Sequence, residues 1–403
     1  MNNIFRSNWL EVDLAAYGQN VMAMKSLIGK ARLCAVVKAD AYGHGAAEIS
    51  AAALKNGADM LAVALVEEGI ALRESGISSP ILLLSEPGSE GIKEAVNNNL
   101  ILTLYTPGGV KAAAEAYRAR RDSRQPPPVG SLLGVHVKMD TGMHRVGVSE
   151  ADLPDLLDAV ISSGALKPVG FWSHLAVADE CKDPFTALQL ERLKRAYDKT
   201  LLGRVRQKET ILLHIANSAG AIYHKETRLD MVRSGIALYG YLPSRSCEPE
   251  SRSDAEALSL IKPVLSWKTK VHFTRTVKKG EAISYGLLKP LAEDSLVAVI
   301  PAGYHDGIPR ALFGAGCDVL IGGKRRRIAG QVTMDQIMVD CGSEGDVLPG
   351  DEAVILGRQG KEEITAQDWA DKLGTISYEI ICGIGPRVPR LYPDSAAADR
   401  ENR

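Results

Sequence analysis

Short apolar, β-branched runs alternate with longer amphipathic stretches between residues 33 and 240. The runs are LCAVV (33–37), MLAVAL (60–65), ILLL (81–84), ILTLY (101–105), GVHVKM (134–139), VGFWS (169–173), ILLHI (211–215) and one near MVRSGIALYG (231–240). The first seven fit the length of a buried strand. The pieces between them, such as AAEISAAALKNGA (46–58), space their apolar residues at helical intervals and often carry Gly near the C-terminal end. Strand then helix, repeated eight times, predicts an α/β fold of the (β/α)8 TIM-barrel type. An open doubly wound sheet shares the alternation, and the count of eight favours the barrel.

The texture changes at SRSCEPESRSDAEALS (244–259), a polar, turn-rich segment that reads as a linker or an exposed excursion. Beyond it, WKTKVHFTRTV (267–277), SLVAVIPAGY (295–304), CDVLIGG (317–323), KRRRIAGQVTMDQIMVD (324–340) and EAVILGR (352–358) are strand-like with Gly turns, and ITAQDWADKLG (364–374) predicts a helix. The expected organisation is a barrel over residues 11–246 and a mostly-β C-terminal domain over 247–403, joined by residues 1–10. PPP (126–128) is expected to break a helix, and the chain from Asp394 to fray.

Composition narrows the function little. The 403 residues are 45% hydrophobic and 24% charged; 48 basic against 49 acidic side chains give a net charge of −1. That balance offers nothing to nucleic acid or to an anionic membrane. The start, MNNIFRSNWLEVDL, has no apolar signal core, and no apolar run approaches the roughly 20 residues of a membrane span. Six cysteines (Cys34, Cys181, Cys247, Cys317, Cys341, Cys382) include no CxxC pair, and are expected to be reduced thiols in a cytoplasmic protein.

In a barrel, chemistry gathers at the C-terminal ends of the strands. Lys38 and Tyr42 follow the first run; Lys138, Asp140 and Arg145 follow the fifth; His174 follows the sixth. Asn217 and Ser218 follow the seventh, and Arg233, Gly235 and Ile236 lie at the eighth. Lysines, arginines, histidine, tyrosine and serine suit an anionic ligand. No HxH ends the first run, the histidines lack metal-ligand spacing, and there is no P-loop or GxSxG. Taken singly, each residue has a plainer reading. Lys38 could be a solvated strand cap, Arg145 a surface residue and His174 a core histidine. KRRR (324–327) reads as an exposed hairpin and His305–Asp306 as a loop pair. Convergence at the strand ends is what favours chemistry.

AVVKADAYGHG (35–45) resembles the cofactor-lysine motif of the alanine racemases, fold-type III pyridoxal phosphate enzymes with a barrel and a β domain. KMDTGMHRVG, SHLAVADE, ANSAG, DMVRSGIALYG, SYG, GYHDG, TMDQIMVD and ISYEIICGIGPRVPR follow in that family's order, covering the chain from about residue 8 to residue 391. The resemblance implies a cytoplasmic enzyme that interconverts L- and D-alanine through an external aldimine of pyridoxal 5′-phosphate. It further implies a head-to-tail homodimer with shared active sites, and no metal, nucleic acid or membrane partner.

Residue by residue, the resemblance makes Lys38 the imine-forming lysine and the proton carrier on one face of the substrate. Tyr285, from the partner subunit, would serve the other face, tuned by His174 lying between it and Arg233. Tyr42, Ser218, Tyr378 and the backbone around Gly235–Ile236 would hold the phosphate, with Asn217 and His174 also in the cofactor pocket. Arg233 would face the pyridine nitrogen, where a permanent cation disfavours ring protonation and suppresses transamination. Arg145 would bind substrate or the cofactor's phenolic oxygen. Tyr304 and Met334 would line the substrate path, Met334 offering a backbone N–H to the carboxylate. Lys138 matches a lysine that some members carbamylate, which could orient Arg145. His144 and Trp172 depart from the residues common in the family, and Tyr378 favours alanine over serine. The alternatives are a racemase of serine or a basic amino acid, a basic amino-acid decarboxylase (opposed by Arg233), a non-catalytic pyridoxal phosphate protein, and a cofactor-free binding module.

Overall fold

The computed structural model describes residues 5–121, 131–201, 211–244 and 246–393. PPP (126–128) and the tail from Asp394 lie outside the described residues. The chain forms two units: Tyr17–Ala41 with Ala46–Lys262, and Met1–Ala16 with Tyr42–Gly45 and Pro263–Arg403.

After β1 (Asn8–Val12) come the eight strands of the first of these units. They are β2 (Arg32–Val36), β3 (Met60–Val63), β4 (Ile81–Leu83), β5 (Thr103–Leu104), β6 (Leu133–Lys138), β7 (Leu166–Trp172), β8 (Leu212–His214) and β9 (Met231–Ser234). All eight run parallel, in the orders β4-β3-β2-β9 and β5-β6-β7-β8. A parallel bridge between Leu82 and Ile101 joins one edge. At the other, the Asp230 N–H donates to Leu213 O (3.1 Å) and the Arg233 N–H to Ala216 O (3.0 Å). The sheet thus closes into a (β/α)8 barrel. Its strands are short and buried on both faces, as parallel strands covered by helices must be; every residue of β3, β4 and β9 is buried. Two predicted runs are shorter as strands than the apolar pattern suggested. ILTLY keeps regular pairing only at Thr103–Leu104, and MVRSGIALYG turns after Ser234 into a 3-10 helix, Ile236–Tyr239.

The polar segment after the barrel is not a free linker. Arg252–Leu258 is a helix whose Ser251 Oγ accepts the Asp254 N–H, and the buried Arg228 pairs with Asp254 at 3.2 Å. Cys247 forms a disulfide with Cys181, 66 residues away and 5.8 Å between Cα atoms. This corrects the expectation of six reduced thiols. Sequence spacing carries no distance between residues brought together by tertiary folding. Cys34, Cys317 and Cys341 are free and buried.

The second unit is built on one sheet that includes β1. Its further strands are β10 (Leu265–Lys270), β11 (Phe273–Val277), β12 (Ser295–Ile300), β13 (Asp318–Ile321) and β14 (Lys324–Ile328). Then come β15 (Ile337–Asp340), β16 (Glu352–Gln359), β17 (Glu362–Ile364) and β18 (Arg390–Leu391). The order is β11-β12-β15-β14-β13-β16-β10-β1-β18, with β17 beside β16; only β1 and β18 pair in parallel. KRRR forms a hairpin strand with β13 as expected, with Lys324, Arg325 and Arg327 exposed and only Arg326 buried. This strand, β14, is paired on both edges, and Arg326 donates to both Asp346 carboxylate oxygens (2.8 and 2.7 Å). Asp306, read as half of a loop pair, is buried as an ion-pair hub. It accepts from Arg6 (2.7 Å), Arg387 (2.7 Å) and the Gly303 N–H (2.8 Å).

Candidate active site

Lys38 stands two residues beyond the end of β2, where the Val37 N–H makes the last barrel bond, to Ala62 O at 2.9 Å. The chain then does something unusual. Ala39, Asp40, Ala41 and Tyr42 all have φ between 52° and 54°, a left-handed turn built from non-glycine residues. Such a turn costs about 1–2 kcal/mol per residue. Local carboxylates oppose that cost. Glu68 accepts the Ala39 N–H at 2.6 Å, and Asp40 accepts the Ala46 N–H at 2.8 Å. Strain held by fixed neighbours is the pattern of a functional site. Here it fixes where the chain leaves the strand that presents Lys38.

Across the barrel floor, ladder register sets Lys138 of β6 beside Trp172 of β7, and Trp172 beside His214 of β8. Paired residues of a parallel sheet point to the same side, so these three form one row. Arg233 of β9 is buried against them. It donates to His214 Nδ1 (2.6 Å), Ser173 O (2.8 Å) and Ile215 O (3.0 Å), and lies 3.3 Å from His174 Nδ1. Because a guanidinium only donates, both Nδ1 atoms must accept, which puts the proton of each ring on Nε2. The His214 Nε2–H then donates to His136 Nδ1 at 3.0 Å. Burial first, and Arg233 second, keep these rings neutral: the pKa of His136 falls to about 3, and those of His174 and His214 lie well below 6.5. Gly170 is required opposite His136, whose ring lies 2.4 Å from where a Cβ would stand.

Arg233 itself is pulled down to about 9 by burial. The Lys138 amine falls to about 7, through burial and then through the nearby Arg233, Arg145 and Lys38 cations, with Asp140 opposing. Among the described residues, neither Arg233 nor Lys138 has a carboxylate within ion-pair distance. The floor is therefore a cluster of cations with neutral partners.

Asn217 caps the Ser218–Tyr223 helix, accepting the Gly220 N–H at 2.9 Å. Ser218 Oγ accepts the Gly235 N–H (3.0 Å), is approached by the Ala237 N–H (3.5 Å) and lies 3.2 Å from Ser234 Oγ. Hydroxyls and backbone N–H groups converge there just before Ile236 opens the 3-10 helix, a donor set suited to a phosphate. Arg145 is exposed on a tight loop where Gly147 lies 2.6 Å, Cβ position to Asp140 N.

Within the second unit, Tyr42 packs near Tyr378 with ring centres 6.1 Å apart. Tyr285 sits between β11 and β12 on a turn pinned by Ser284 Oγ, which donates to Gln331 O at 2.7 Å; its side chain is 71% exposed. The Tyr304 N–H donates to Thr333 O (2.9 Å) and the His305 N–H to Met334 O (3.1 Å), so the Tyr304 and Met334 loops are stitched together. A cleft of about 640 Å³ beside them is lined by Tyr285, Ser284, Thr333, Gln336 and Arg275.

Two family models match nearly the whole chain: the alanine racemase N-terminal domain over residues 12–243 and the alanine racemase C-terminal domain over 264–392. The chain belongs to the alanine racemase family. It is 42% identical to the alanine racemase of Symbiobacterium thermophilum, covering 97% of this chain and 98% of that one. The crystal structure of alanine racemase from a D-cycloserine-producing Streptomyces lavendulae matches with a TM-score of 0.86 and 34% identity over 98% of both chains. A histidine racemase from Leuconostoc mesenteroides matches at 27% identity and a TM-score of 0.83, covering 98% of this chain and all of that one. Among the described residues no helix is long and apolar enough to cross a membrane, and no cluster of metal-binding side chains is present.

Sequence reasoning located the strand-end residues but missed His214 and His136 as a relay behind Arg233. The signal was present: period-two alternation in GVHVK places His136 and Lys138 on one face.

Proposed function

We propose that this protein interconverts L- and D-alanine using pyridoxal 5′-phosphate. The observation that carries the proposal is Arg233: a buried guanidinium, fixed by neutral acceptors on the barrel floor. A guanidinium, which only donates and cannot accept a proton, suits a neutral pyridine nitrogen and keeps it unprotonated. Bound there, the cofactor would supply an electron sink for the pair released when the substrate Cα–H bond breaks.

The chain's own residues supply the rest. Lys38 tethers the cofactor and carries a proton on its Nζ to and from one face of Cα. The Ser218 hydroxyl and the N–H groups at Gly235–Ile236 receive the phosphate, with Tyr42 and Tyr378 as further donors and Asn217 holding the helix that presents Ser218. Racemisation also needs a proton on the opposite face. Tyr285 fills that role from a second copy in a head-to-tail homodimer, consistent with its large exposure in the single chain. His174, kept neutral by burial and by its cationic neighbours, is the group that tunes it. Arg145, Tyr304 and the Met334 N–H orient the substrate carboxylate. The Lys138 amine, lowered to about 7, is a weak enough base to be in part unprotonated at neutral pH, the form that carbon dioxide carbamylates.

Deuterium uptake at Cα in heavy water tests this reading, with purified protein, pyridoxal phosphate and a panel of L-amino acids. Uptake by alanine above the others supports it. Uptake by histidine or another basic amino acid instead would favour the second reading, which the likeness to a histidine racemase raises. No uptake by any amino acid would reject both.

A further inference from the structure

Trp172 carries more than its bulk. Its ring is fully buried and lies beneath two cations at once: Lys138 Nζ is 4.3 Å from the ring centroid, and Arg233 Cζ is 4.3 Å. The His214 imidazole stacks on it at 5.5 Å and 11°. The indole Nε1 is buried and has no hydrogen-bond partner among the described residues. A tryptophan placed only for packing has no need to face charges, and one placed for its N–H would have an acceptor. What the site uses is the face of the ring.

Two like charges are buried here without carboxylates, and burial together with mutual repulsion drives the Lys138 amine toward neutrality. A π face attracts cations most strongly where water is excluded. We propose that Trp172 is a positioning residue, whose indole face holds the Arg233 guanidinium, and Lys138 in its ammonium form, in place on the floor of the cofactor site. The proposal rests on the racemase reading, since it assigns those two cations to that site.

The test replaces Trp172 alone with mono-, di- and trifluorotryptophan in the pyridoxal phosphate-loaded enzyme. Fluorine withdraws π density with little change in shape. Trp172→Phe and Trp172→Leu accompany the series. The expected result is a stepwise fall in kcat with fluorine number, reaching about tenfold, with Trp172→Phe retaining more activity than Trp172→Leu. A rate independent of fluorination overturns the proposal. So does a rate that rises, as stacking on His214 alone would predict. Should Trp172→Leu fail to fold, the fluorinated series still decides. Deuterium uptake by unmodified enzyme with L-alanine is run alongside. Its absence would reject the racemase reading, whereas its presence with a flat fluorine series would reject only the role of Trp172.

Discussion

Replacing Lys138 with methionine should stabilise the cofactor-free protein at neutral pH. The amine falls from 10.5 in the unfolded chain to about 7 in the fold, chiefly through burial. Between those values the unfolded state holds a proton that the folded state has lost, so folding releases it and stability rises with pH. Above 10.5 both states are neutral and no penalty remains; below 7 both are charged and the penalty is full. At about 1.36 kcal/mol per pKa unit, the full penalty is about 5 kcal/mol. Methionine has similar length, no charge, and a sulfur that packs well on an aromatic ring. Urea unfolding of both proteins at pH 6, 8 and 10 should show Lys138→Met more stable by several kcal/mol at pH 6, with the gap shrinking steadily to pH 10. A variant less stable at pH 6, or a gap independent of pH, would refute the claim that Lys138 is held as a destabilised cation.

Three other outcomes follow from named features. Ala39→Gly should stabilise the protein by about 0.5–1 kcal/mol by chemical denaturation, because glycine removes the left-handed penalty at an exposed position and returns part of it as chain entropy. Unreduced, denatured protein should titrate as four thiols, and reduction should add two while lowering stability by about 4 kcal/mol for a loop of this length. Tyr285→Phe should slow racemisation by about 10²–10⁴-fold, with solvent isotope effects that differ between the D-to-L and L-to-D directions; small, equal effects would remove it from proton transfer.

The barrel was legible because its strands are buried on both faces and so read as uninterrupted apolar runs, with helices between them. Lys38, Ser218 and Arg233 were legible for a related reason: polar side chains at the ends of such runs have few structural uses. Pairing across long separations was not legible. The Cys181–Cys247 bond, the hub formed by Arg6, Asp306 and Arg387, and the Arg233–His214–His136 chain each join residues from elements far apart in sequence. Local pattern reports which face a residue occupies and nothing about its neighbour across the fold. The left-handed turn after Lys38 was hidden for another reason. Of Ala, Asp, Ala and Tyr only Asp is enriched at positive φ, so a run of four rests on tertiary bonds such as that from Ala39 to Glu68.

The most direct measurement is borohydride reduction of the protein with pyridoxal phosphate, followed by peptide mapping. The account predicts a single pyridoxyl adduct on Lys38, accompanied by loss of the visible absorbance band and of alanine exchange. An adduct on Lys138 or on a surface lysine, with Lys38 unmodified, would contradict it.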